Sequence, residues 1–168
     1  MASNSSGIST NLERLGYGGP SGCIATGLHR EVISEGVATR TLLAEDSGAL
    51  CMFDRAAGVV YTLPTPVKGM RFEFSTSVLL TSNAYKFITA AATQFLVGSV
   101  MGGSLTVAEA GDVFQADGTT IVALSMNATT TGGLVGGSIW VTALSATQWY
   151  VEGDFVGAGT LATPFATS

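Results

Sequence analysis

From Thr41 to Phe74 the chain reads TLLAEDSGALCMFDRAAGVVYTLPTPVKGMRFEF, short apolar and β-branched runs cut by Gly48, Gly58 and Gly69. A break about every ten residues leaves room for a short strand and a turn, and too little for a helix of ordinary length. The spacing predicts an all-β domain built of two packed sheets. The alternation is cleanest over Gly69–Ser75, where Met70, Phe72 and Phe74 share one face and Arg71 and Glu73 the other. Three large apolar groups on one face of a strand call for a core beneath them.

Further strands are expected at Thr39–Glu45, Ala49–Phe53, Val59–Leu63, Lys86–Ala90, Gln94–Val97, Val113–Ala116, Thr119–Met126, Ser138–Leu144 and Gln148–Glu152. Pro64 and Pro66 end one of them, because proline donates no hydrogen bond to a ladder. Asp117-Gly118 predicts a hairpin turn. Gly132-Gly133 and Gly136-Gly137 around Leu134-Val135 predict a loop or bulge. The expected architecture is a jelly-roll-like antiparallel β-sandwich with an extended N-terminal arm. No repeat recurs at a fixed period, which disfavours solenoids and propellers.

The two ends read differently. Residues 1–37 carry Gly16, Gly18, Gly19, Gly22 and Gly27 with Pro20, a density that disfavours regular structure. Leu28–Glu35 alone suggests a turn or two of helix. Leu12, Leu15, Tyr17 and Ile24 follow no period, and apolar groups in such a segment read as anchors of an arm that docks into a neighbour. Residues 38–153 form the expected β-sandwich domain, and residues 154–168 a loose C-terminal tail with Phe155, Leu161 and Phe165 as anchors.

Composition narrows the function. Charged residues make up 11% of the chain, against about 25% in an ordinary soluble domain. A monomer usually keeps more charge on its surface, so much of this surface is expected to be covered by partners. The net charge is −5, and the 7 Lys and Arg residues are scattered. Nucleic-acid binding needs clustered cations, so none is expected. No apolar run is long enough to span a membrane as a helix, and the opening MASNSSGIST has neither the basic nor the apolar part of a secretion signal.

Residues able to do chemistry are few. His29 is the only histidine, and Cys23 and Cys51 are the only cysteines, too few for a zinc site and without a CxxC pair. Both cysteines are expected as free thiols. No G-x-S-x-G occurs, and Gly16-Tyr-Gly18 opens no dinucleotide loop because Ser21 replaces the third glycine. Glu45-Asp46 and the pair Glu109 and Asp112 have the composition of glycosidase or calcium carboxylates, but read as solvated turns. No catalytic residue, cofactor or metal is assigned. Trp140, Trp149 and Tyr150 are the one aromatic group suited to stacking on a sugar, provided the strands around Ser145-Ala146 bring them to one face.

Three stretches resemble a pattern of tailed-phage virion proteins: Asp46-Ser47-Gly48, then Ala56-Ala57-Gly58 with Thr62-Leu63-Pro64, Gly69, Phe72 and Phe74, and finally Trp149-Tyr150-Val151-Glu152-Gly153. They are turns and strand ends, spread from Thr41 to Gly153. The family is that of phage head decoration, or cement, proteins. The resemblance implies a non-enzymatic structural virion protein, a homotrimer that binds the major capsid protein on the outer surface of the capsid after synthesis in the host cytoplasm. Within the same resemblance, a carbohydrate-binding module of a head fibre or tail spike is the alternative.

Overall fold

The computed structural model describes residues 30–106 and 111–168. The strands are β1 (Val32–Ile33), β2 (Thr39–Thr41), β3 (Leu50–Phe53), β4 (Val59–Thr62), β5 (Arg71–Thr76), β6 (Tyr85–Ile88), β7 (Phe95–Ser104), β8 (Asp112–Asp117), β9 (Ala123–Met126), β10 (Leu134–Ala143), β11 (Gln148–Gly157) and β12 (Phe165–Ala166). A single 3-10 turn, η1, covers Ala44–Asp46. No helix among the described residues is long and apolar enough to cross a membrane.

The strands form two sheets, one of seven in the order β1-β3-β5-β10-β11-β7-β8 and one of five in the order β12-β9-β6-β4-β2. The all-β sandwich expected from the glycine spacing is therefore the fold. Both sheets are mixed. Antiparallel pairing holds for β5 with β10, β10 with β11, β7 with β8, β6 with β9 and β9 with β12. The ladders β1–β3, β3–β5, β2–β4, β4–β6 and β7–β11 are parallel, where a jelly roll pairs antiparallel. For the four ladders among β1 to β6 the cause lies in the connections. From β1 to β6 every turn carries the chain across to the other sheet and reverses it. Two reversals return the chain to its first sheet in its first direction, so next-but-one strands lie parallel. Here the end at which β3, β5 and β11 begin is called the base, and the opposite end the crown.

The core lies between the sheets. Phe53, Phe72, Phe74, Phe87, Tyr85, Trp149, Leu96 and Ile139 are all buried. Phe74 and Phe87 stack across the two sheets with centroids 4.6 Å apart, and Phe53 stacks on Tyr85 at 4.8 Å. The Phe72 and Phe74 alternation thus points into the core as expected, with Arg71 exposed on the other face. Cys51 is a free thiol buried in the same core, where loss of hydration pushes its pKa up to about 12.

Four local expectations are corrected. Val32–Ile33, inside the stretch read as helical, is strand: Glu31 accepts a hydrogen bond from Leu50 N–H, and Ile33 enters the core. Two β-branched residues beside an open strand edge favour pairing over a helical turn. The N-terminal segment of residues 1–37 therefore reaches the sandwich before its expected boundary, and Met1–His29 lie outside the described residues. The boundary at 153/154 falls inside β11, and the stretch read as a tail supplies buried Phe155 and Phe165. Finally, Asp117-Gly118 turns the chain without making a hairpin. The Asp117 carboxylate accepts N–H bonds from Thr119, Thr120 and Ile121 at 2.9, 2.8 and 3.3 Å. That curl lifts the chain off β8 and delivers β9 to the other sheet.

Candidate functional site

The β10–β11 hairpin decides the fate of the aromatic group. It turns through Ser145, Ala146 and Thr147, and in its register Ala143 faces Trp149, Thr142 faces Tyr150 and Trp140 faces Glu152. Residues opposite one another in an antiparallel pair share a face. Trp149 therefore points inward with Val141 and Val151 and is fully buried, its ring 6.0 Å from that of Phe72. Trp140 and Tyr150 point outward. The three aromatics do not share a face, and Trp149 is closed to any ligand of the folded domain.

Trp140 is itself engaged. The Arg71 guanidinium lies 4.0 Å from the centre of its ring and that of Arg30 lies 5.0 Å away. Glu73 pairs with Arg30 and accepts a 2.5 Å hydrogen bond from the Ser138 hydroxyl. Glu152 lies 3.7 Å from Arg71. Two cations, two carboxylates and one indole thus form a closed cluster in the middle of the outer face, with its charges mutually compensated. Cations attracted to the indole leave less of it to stack on a sugar. The sequence carried a sign of this cluster: Arg71 and Glu73 alternate with the core phenylalanines, so they had to meet something on the outer face.

The Glu45-Asp46 pair does not build a site. Asp46 is buried and accepts the Leu43 N–H at 2.8 Å, serving the η1 turn, while Glu45 is exposed. Asp112 is exposed at the start of β8, and Glu109 lies outside the described residues. No group of three His, Cys, Asp or Glu among the described residues is placed to hold a metal ion. Leu12, Leu15, Tyr17, Ile24, Cys23 and His29 also lie outside the described residues.

The surfaces most in want of cover are apolar. One is the β7–β8 border. β8 is the edge of the seven-stranded sheet, and Met101 faces Val113 across the β7–β8 ladder. Both side chains are exposed, as is Leu105 just beyond β7, which at 72% is the most exposed large apolar residue described. On the inner side of the same strand Phe114 stacks on Phe155 at 5.8 Å, which holds the edge flat against the core. A groove of about 360 Å³ runs beside it, lined by Met101, Gly102, Gly103, Gly111, Asp154 and Phe155. An open strand edge offers unpaired N–H and C=O groups to another chain, and proteins ordinarily blunt it with charge, proline or a bulge. Here Asp112 and Asp117 stand at the two ends of β8, and the run Val113–Ala116 between them has no charge and no proline. Chemically this border is suited to holding another strand.

No protein-family model, curated protein or solved structure matches this chain.

Proposed function

We propose that this chain is a structural virion protein, a homotrimeric head decoration (cement) protein that binds the major capsid protein on the outside of a phage capsid. The observation that carries the reading is the open β8 edge with Met101, Val113 and Leu105 exposed along it. Such an edge gains backbone hydrogen bonds and apolar cover together when a neighbouring chain adds a strand. The low charge of the chain supports the same reading, as does the resemblance of its turn motifs to those of virion proteins. A trimer presents three weak contacts at once, and their effective concentration makes the sum tight. The distal arm anchors Leu12, Leu15 and Tyr17 add contacts to shell or sibling in this scheme.

The test is co-purification. The protein is expected on intact heads in a fixed ratio to the shell protein, and as a trimer by light scattering at micromolar concentration. A monomeric mass together with absence from heads would overturn the reading. Val113→Lys, which adds charge to the edge, is expected to lower occupancy on heads while leaving the circular dichroism spectrum unchanged.

A further inference from the structure

The base carries a second apolar surface. Leu43 is 50% exposed, Val67 59% and Leu144 45%. They sit on three neighbouring loops, 42–49, 63–70 and 144–147, which are lashed together. Gly48 N–H donates to Arg71 C=O at 2.6 Å, and Arg71 N–H to the Ser47 hydroxyl at 3.1 Å. Gly69 N–H donates to Ala143 C=O at 2.9 Å, and Ala143 N–H to Met70 C=O at 2.8 Å. The surface is thus preformed and stiff. Glu45 and Lys68 are the only exposed charged side chains on these loops. Aliphatic groups held this openly on a rigid, nearly uncharged surface point to an occupant.

The chain itself supplies one. β1 runs parallel to β3 and begins opposite Leu50, the first residue of β3. The residues just before β1 therefore lie at the base, beside loop 42–49. Arg30 fixes the point of entry through Glu73 and Trp140. Leu144 is four residues beyond Trp140 along β10, roughly 13 Å at the rise of a strand. From Arg30, Leu28 reaches at most about 7 Å and Ile24 about 20 Å when the chain is extended. The reach of Ile24 thus spans the distance to Leu144 and that of Leu28 the near side of the surface, and the segment, CIATGL, carries no charge. The tether also favours this occupant over any free partner, since it acts at high effective concentration.

We infer that residues 23–28 cap the base of their own sandwich, with Ile24 and Leu28 covering Leu43, Val67 and Leu144. The cap directs the rest of the arm, Met1–Gly22, outward from a fixed point at the base. The inference concerns a single chain and stands whether or not the virion reading does.

Thiol bridging tests it in the full-length protein. Cys51 is buried in the core, so in the native state it does not compete with Cys23 for a new surface thiol. Val67→Cys and Leu144→Cys each place a new thiol on the base, and Leu79→Cys places one at the crown, where Leu79 is 49% exposed. On mild oxidation with diamide, both base variants are expected to bridge to Cys23 within one chain at least about ten-fold faster than the crown variant. Mass spectrometry of the digested monomer reads the bridge, and circular dichroism checks that each variant folds. Rates equal to the crown variant in both base variants would overturn the inference. Bridges formed between chains would overturn it too, by giving the base to the arm of a second copy.

Discussion

Trp140 and Trp149 belong to one hairpin, nine positions apart, and live in different solvents. Trp149 is buried in the core, while Trp140 lies against two guanidinium groups on the outer face. The register sets Trp149 opposite Ala143, three residues along β10 from Trp140, and side chains three apart on one strand point to opposite faces. The inner face of the seven-stranded sheet is a surface of packed rings. The outer face is a patchwork of charges, small residues and exposed aliphatics. The inner face is expected to set the stability of the domain, and the outer face its salt and pH response and its contacts.

The largest effect should come from the inner face. Trp149→Ala and Phe72→Ala are each expected to cost about 3–5 kcal/mol in denaturant unfolding, since each opens a cavity in a core with no freedom to close. A loss below about 1 kcal/mol would break the comparison by showing that the inner face is loosely packed. Next comes Gly153, opposite Ile139 in the hairpin, with φ +136°. A Cβ there would lie 2.3 Å from the Ser138 carbonyl oxygen and 2.8 Å from Ile139 Cα, both backbone atoms. Gly153→Ala is expected to cost about 2–3 kcal/mol from strain and displacement, read as a fall in the unfolding midpoint.

Trp140→Ala should cost less, about 1–2 kcal/mol, the sum of two partly exposed cation–π contacts. A loss as large as that of Trp149→Ala would place the outer cluster on an equal footing with the core. The smallest effect concerns Asp117. Its carboxylate accepts bonds from three backbone N–H groups and from the Thr120 hydroxyl at 2.5 Å, which hold its pKa well below the usual carboxylate range. A folded-state pKa below the unfolded one gives stability that is present above about pH 4 and is lost as pH falls toward the folded value. The melting temperature of the wild type is therefore expected to exceed that of Asp117→Asn at pH 7, with the gap closing steadily below about pH 4. A gap independent of pH would mean that shape, not charge, makes the turn.

What was legible in the sequence follows from this division. Phe72 and Phe74 alternate with Arg71 and Glu73, and the alternation alone orients β5. Gly136-Gly137 marks a true irregularity, since the β10–β11 register shifts between Leu134 and Ser138. Pairing was not legible. Nothing in Val59–Thr62 states that its neighbours are β2 and β6, because partners in the winding half are set by which sheet each turn enters. Asp117-Gly118 shows the limit plainly: the turn chemistry is right, but the carboxylate's grip on three following N–H groups sends the chain across the sandwich. The sugar platform failed on register: a two-residue turn at Ser145-Ala146 would have set Thr142 opposite Trp149 and put both tryptophans on one face, whereas the turn is one residue longer and sets Ala143 opposite Trp149.

The alternation of β1 to β6 between sheets also bears on how fast the domain forms. In that half no strand pairs with the one before or after it; each waits until the chain has crossed the core and come back. Neither sheet can be built there ahead of the other, so the two must zip up in step around a shared set of rings. The local starting points are the β10–β11 and β7–β8 hairpins, whose partners are adjacent in sequence. Loop-closure entropy must be met at every crossing before a contact is gained, which makes refolding slow for a chain of this size, in milliseconds to seconds. The same requirement acts in reverse. Prying out one winding strand disturbs both layers at once, so the assembled domain should open reluctantly and as a unit.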